Sequence, residues 1–313
     1  MSPTQILRLN RMSQRWNAAI ACFAAWWGAA CVSSAAFEPW QIEVRYDRLA
    51  TTLGSAVPTG AGVAVSLVEA PIISAGESLN YQWHPFMPNP NNSEFTSGDP
   101  YGQPVVFIDV NGLGPAYQRD GSGAFVLVDG QMVPIYSSHA TTTVGRWFVG
   151  NIFGLAKGAN EVAVYEANNY LTNVVRYSGS QNPTTQNYRV QNFSWIAGLA
   201  PGGNPTVADA NNVSALRRFD YLADTANGGE GMTAVVGLGN ETNPIPYLWG
   251  HSYNSIVVGR TEGIHSSGLT LSPGSNAYGP GRSKPDIVAP ASVTSAATGM
   301  TSSAATILHE TLA

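Results

Sequence analysis

Short runs of almost unbroken apolar residues, separated by segments with helical spacing, constrain this chain more than any other feature. Val63-Ala64-Val65-Ser66-Leu67-Val68 follows Gly60-Ala61-Gly62. Similar runs occur at Val105–Ile108, Phe125–Val128 and Thr233–Leu238, with further strands read at Glu161–Tyr165, Tyr188–Trp195, Ser255–Val258 and Asp286–Ala289. A strand packed on one face alternates apolar with polar side chains, whereas a strand covered on both faces does not. Between these runs, Ser138–Gly154 carries Val144, Phe148 and Ile152 four residues apart, and Ser214–Ala226 carries Leu216, Phe219 and Leu222 three apart. Ser295–Leu312, rich in Ala, Ser and Thr, reads as a final helix. Ser138 is read as the N-cap of the first helix and Gly228-Gly229 as the stop of the second. Strands alternating with helices predict an α/β fold: a doubly wound, mostly parallel sheet with helices on both faces. Tyr81–Tyr101, rich in Pro and Asn, reads as surface loop.

Composition narrows the function classes. Only 11% of the 313 residues are charged and the formal net charge is -5. That leaves no basic footprint for nucleic acid, and no basic amphipathic helix suits a membrane surface. The first residues differ from the rest. Arg8, Arg11 and Arg15 precede an apolar stretch from Trp16 to Cys31, which ends in the small residues of Val32-Ser33-Ser34-Ala35-Ala36. This is the pattern of a secretory signal peptide over 1–36. The alternatives are a membrane anchor, for which the stretch is short, and a lipoprotein site at Cys31. The expected product is secreted or extracytoplasmic, with no stable membrane association after cleavage. Residues 37–59 form a short extension, and 60–313 form one domain that is either minimal or cut short by a truncated reading frame.

Both cysteines, Cys22 and Cys31, lie in this leader. The processed chain then offers no disulfide, no cysteine nucleophile and no thiolate metal site. His84, His251, His265 and His309 lack ligand-like spacing. Asp109, Asn111 and Gly112 hint at a calcium loop whose remaining ligands are missing, so no metal and no cofactor is expected. The sequons at Asn91, Asn192, Asn212 and Asn240 read as chance in an Asn-rich chain.

In open α/β sheets, chemistry gathers beyond the carboxyl ends of the strands. Glu69 ends the first apolar run, and Asn240 follows the Thr233 run. His139 and Ser295 each stand at a helix start, where free N–H groups and partial positive charge can stabilise an anion.

Several stretches then resemble one family, the subtilisin-like serine peptidases. Ser138-His139-Ala140-Thr141-Thr142-Thr143-Val144-Gly145 resembles the family's helix start around its histidine. Ser283–Pro290 resembles the strand before the nucleophile. Thr294-Ser295-Ala296-Ala297-Thr298-Gly299, with Ser302–Ala305, resembles the nucleophile helix. Val235–Asn240 resembles the segment bearing an oxyanion asparagine, and Leu155–Ala159 and Asn192–Trp195 are weaker matches in the right places. The likeness spans about Gly60 to the C-terminus, in the order carboxylate, His, Asn, Ser.

The resemblance implies a secreted endopeptidase acting on polypeptide. Ser295 would be the nucleophile, His139 the base and Glu69 the group orienting it, with Asn240 in the oxyanion hole. Ser194, Trp195, Ile196, Ala197 and Gly198 would line a groove that takes the substrate by strand addition. A serine hydroxyl needs a base at hydrogen-bond distance, and that base needs an acceptor to set its tautomer. The sequence departs from the family at Glu69, where an aspartate is usual, with Asp109 as the other carboxylate open to the role. Ala140 and Val293 stand at usual glycines, Thr142 at a second histidine and Gly299 at a proline. An inactive relative used for peptide binding, or as a surface structural protein, is the alternative.

Overall fold

The computed structural model describes residues 37–73, 77–96, 104–199, 204–206, 209–270 and 281–312. The leader read over 1–36, with both cysteines, lies outside them. Residues up to Asp47 belong to a separate compact unit, and its described part contains a short helix over Pro39–Glu43. A second helix covers Tyr46–Leu53. The larger unit begins at Arg48.

Seven strands form the central sheet of the larger unit: β1 (Val65–Glu69), β2 (Val106–Asp109), β3 (Glu161–Glu166), β4 (Val190–Phe193), β5 (Thr233–Gly237), β6 (Ser255–Arg260) and β7 (Ile287–Ala289). Their order is β7-β6-β5-β4-β1-β3-β2, and every neighbouring pair is parallel. From β1 the chain goes to the edge as β2, fills the place between them as β3, and then crosses to β1's other flank as β4. The winding direction thus reverses between β1 and β4, which is where an open α/β sheet leaves a crevice at its carboxyl ends.

Both faces are covered. Ser66, Val68, Phe193, Ala234, Val236 and Val257 share one face by register. Helix α1 (Ala210–Gly229) packs there through Leu216, Phe219 and Leu222, together with Tyr170 and Val174. Phe219 stands edge-on to Phe193 at 5.0 Å between ring centres and stacks on Trp249 at 4.2 Å. The other face carries Asn192 and Gly237 beneath helix α2 (Thr294–Leu312). A Cβ on Gly237 would lie 2.7 Å from Thr298 Oγ1, so glycine is what lets α2 settle this close. α2 is latched at its far end as well. Glu310 Oε2 accepts the N–H groups of Thr59 and Gly60, each at 2.6 Å, in the turn before β1.

Several local expectations differ. The Phe125 run is not a strand of the sheet. Leu127–Val128 pairs with Gln131–Met132 in a small antiparallel ribbon. Asp129 and Gly130 both take left-handed φ (52° and 77°), as a tight hairpin of this kind requires. Leu127 and Val128 are more than half exposed, so their apolar character reflects ribbon propensity and not burial. The helix expected over 138–154 is shorter and differently wound: a π-helical turn over His139–Gly145, then an α-turn over Arg146–Phe148. α1 starts earlier than expected, capped by Asp209. It leaves helical conformation at Ala226, where Asn227 and Gly228 turn left-handed. Asn192 and Asn212 are fully buried, so those two sequons are closed to glycosylation. Among the described residues, no helix is long and apolar enough to cross a membrane.

Candidate active site

Three elements bring the site together at the carboxyl end of the sheet. β1 is buried at every position and ends in Glu69, whose side chain is 2% exposed. The π-helical turn begins with His139. Its first turn is capped by the fully buried Ser137, whose Oγ accepts the Ala140 N–H at 3.0 Å. Ser138, expected as the cap, makes no such bond and already has helical backbone angles. The wider π turn and the helix start of α2 then face one another across a glycine. A Cβ on Gly299 would meet the Val144 carbonyl at 2.8 Å and Trp147 Cβ at 3.0 Å. Gly299, which stands where a proline is usual in the family it resembles, permits the close packing of the two elements that carry His139 and Ser295.

The resulting geometry is a continuous line. Glu69 Oε1 lies 2.7 Å from His139 Nδ1, and His139 Nε2 lies 2.9 Å from Ser295 Oγ. Nδ1–H donates to the carboxylate, which leaves Nε2 as the acceptor for the serine proton. Glutamate's extra methylene is therefore accommodated at the end of β1 without losing contact. Its second oxygen, Oε2, is buried with no partner among the described residues.

Burial raises the Glu69 carboxyl above the usual carboxylate range, and the bond to His139 pulls it part of the way back. For His139, burial works against the charged ring. The hydrogen bond and charge of Glu69 outweigh it, so its pKa is raised above the ordinary histidine value. Both groups are thus raised, and perturbed groups joined by a hydrogen bond are candidates for acid–base chemistry.

Asn240 stands at the rim. Its Oδ1 accepts the Thr294 N–H at 2.7 Å and the Thr294 hydroxyl at 3.1 Å. A backbone N–H can only donate, so this bond turns Oδ1 toward Thr294 and leaves Nδ2 as a donor. The Ser295 N–H lies in the first turn of α2, where backbone donors have no intrahelical acceptor. Val293 has no left-handed backbone, and its carbonyl accepts the Ala297 N–H at 3.2 Å. The side chain that replaces glycine there forces no strain.

The five residues expected to line a groove divide. Ser194 and Trp195 turn their side chains inward, 4% and 6% exposed, so only their main chain could meet an extended peptide. Ser194 Oγ donates to Asn192 Oδ1 at 2.8 Å, and Trp195 packs 6.1 Å from Trp249. Ala197 is already bridged in antiparallel fashion to Leu248. A Cβ on Gly198 would fall 2.2 Å from the Asn204 carbonyl, so the chain there lies against its own loop. Ile196 alone presents an exposed side chain.

Asp109, the other carboxylate weighed, is occupied elsewhere. It accepts the N–H groups of Asn111, Gly112 and Gly114 at 2.8–3.1 Å, closing a turn after the edge strand β2. Asn111 is tied to Glu166 N–H and Asn169, so the loop that hinted at calcium is held by its own bonds. Among the described residues, no group of three or more His, Cys, Asp or Glu is placed to hold a metal.

Thr294, Asn192 and Ser302 also belong to the site, and the sequence reading gave them no role. A signal was present. Ser302 follows Ser295 by seven residues, two helical turns along the same side, and Asn192 precedes Ser194 by two, the repeat of one strand face. In comparisons with known proteins, no family model matches this chain, and no curated protein matches it either.

Proposed function

We propose that the chain is a serine endopeptidase that hydrolyses peptide bonds through an acyl-enzyme, with a Ser-His-Glu relay. The observation that carries this reading is the unbroken line from Ser295 Oγ through His139 to Glu69, with links of 2.9 and 2.7 Å. Ser295 attacks the scissile carbonyl while His139 Nε2 takes its proton. His139 then returns that proton to the leaving amine, and water repeats the sequence on the ester. Glu69 holds the ring in the tautomer that keeps Nε2 free and balances its positive charge. Asn240 Nδ2 and the Ser295 N–H receive the charge that builds on the carbonyl oxygen. Membership of the subtilisin-like peptidases, and export by way of the leader at 1–36, are part of the same proposal.

The test is a fluorophosphonate probe, which reacts with an activated serine. Labelling of the folded protein, lost in Ser295→Ala, is the expected result. A folded protein that takes up no label would end the peptidase reading. One observation favours a second reading, a peptide-binding protein without turnover: Glu69 Oε2 is buried and, among the described residues, lacks the additional donor that would steady the carboxylate. Peptide binding by the unlabelled protein would support it.

A further inference from the structure

Behind the nucleophile runs a second, fully internal set of polar side chains that the relay does not use. Ser302 Oγ accepts from Asn192 Nδ2 at 2.8 Å, and Asn192 Oδ1 accepts from Ser194 Oγ at 2.8 Å. Ser194 Oγ also lies 3.3 Å from the Ser295 carbonyl, and Ser295 Oγ lies 3.0 Å from the Ser194 carbonyl. Asn192 and Ser302 are wholly buried and Ser194 nearly so. α2 is thus tied to the end of β4 at two points two turns apart.

We propose that Asn192, Ser194 and Ser302 are positioning residues that set how the Ser295 hydroxyl is shared between His139 and the Ser194 carbonyl. This rests on the peptidase reading. A hydroxyl carries one proton and gives it to one acceptor at a time. Ser295 has two acceptors at nearly equal distance, His139 Nε2 at 2.9 Å and the Ser194 carbonyl at 3.0 Å. Only the first arrangement readies the oxygen for attack. The second points the proton away from the base.

The position of the Ser194 carbonyl therefore matters to the rate, and two bonds hold it. The Ser194 side chain is anchored to Asn192, and Asn192 is anchored in turn to α2 through Ser302. Buried donors and acceptors that are fully matched specify one arrangement, while a gap in the set loosens it. The side chains of this internal set are buried and do not reach a substrate. They act on the nucleophile by fixing the competing acceptor and the helix that carries Ser295.

The experiment measures fluorophosphonate labelling rate, kcat and KM for wild type, Ser194→Ala, Ser194→Cys and Ser302→Ala, with thermal unfolding alongside. Expected are losses of about threefold to tenfold in labelling rate and kcat for Ser194→Ala and Ser302→Ala, the size of one hydrogen bond, with KM unchanged. Ser194→Cys, with its weak S–H donor, should fall between. The double variant Ser194→Ala/Ser302→Ala should lose less than the product of the two, because both act through Asn192. Ser302→Ala is remote from any bound peptide and gives a reading even if the Ser194 variants fail to fold. A labelled wild type with variants that melt lower but react at the wild-type rate would overturn the proposal and leave the peptidase reading standing. An unlabelled, folded wild type would remove both.

Discussion

Glu69 Oε1 sits 2.7 Å from His139 Nδ1, although the two residues are 70 positions apart in the chain. The contact is made by the last residue of a fully buried strand and the first residue of a π-helical turn. Both ends belong to packed elements, so the length of the side chain bears on whether they meet.

That length can be tested directly. Glu69→Asp keeps the charge and shortens the reach by one methylene. It should lower kcat by about 10²-fold, the usual penalty for a misplacement near 1 Å, with little effect on KM. Steady-state kinetics on a peptide substrate would check it, and an Asp variant as fast as wild type would show that the ring follows the carboxylate.

Removing the charge while keeping the shape should cost more. Glu69→Gln is expected to lower turnover by up to about 10⁴-fold while leaving the fold intact, because the amide no longer favours the working tautomer or balances the imidazolium. Turnover and circular dichroism on the same preparation would separate the two effects.

The pH profile carries a sign that can be worked out. His139 must be neutral to accept the Ser295 proton, and its pKa is raised by Glu69 against the opposing effect of burial. Activity should therefore fall as pH drops through a value above the usual 6.5. In Glu69→Gln, burial acts alone and the acid limb should move to lower pH. The same raised pKa contributes to stability below the unfolded value, and that contribution is lost as pH rises through the folded one. Burial raises Glu69 as well, which adds in the same direction. Over the window where activity climbs, the melting temperature should edge down. Parallel profiles of kcat/KM and thermal unfolding would show the crossing.

Asn240→Ala should reduce kcat by about 10²–10³-fold if its amide meets the developing oxyanion. It also removes the acceptor for the Thr294 N–H and hydroxyl. A stability loss of about 1 kcal/mol should accompany it, as for a lost helix cap. Asn240→Asp keeps that acceptor and would restore stability without restoring rate.

Gly299→Ala probes the seat of the histidine. The added methyl would meet the Val144 carbonyl at 2.8 Å. Overpacking of this kind typically costs about 1–3 kcal/mol. Denaturant unfolding should register that loss, and kcat should fall with it because the His139 turn must shift.

Much of this was legible in the sequence, for physical reasons that differ by element. The buried parallel strands announced themselves because β1, β3 and β5 have no polar face to show. Glu69, His139 and Ser295 could be picked out because each sits where a strand ends or a helix begins. The Phe125 run misled because β-branched and aromatic residues suit an exposed ribbon as well as a buried strand. Ser137 and Ser138 are chemically equivalent neighbours, and only the path of the backbone decides which one caps. Ser194 and Trp195 were read as part of a segment that pairs by strand addition, and that reading carries no information on where their side chains go, which is inward. The Asn192–Ser302 bond joins residues 110 apart, and no local pattern reports a pairing of that range.

The two bonds from Glu310 to the Thr59 and Gly60 amides give the tail of α2 a task distant from its head. Clipping the last few residues, or fusing a bulky tag in place of this carboxylate, would unfasten the segment that leads into the acid-bearing strand. Harm to such a variant would then arise at the opposite end of the helix from Ser295, and an assay could mistake it for damage to the proposed chemistry.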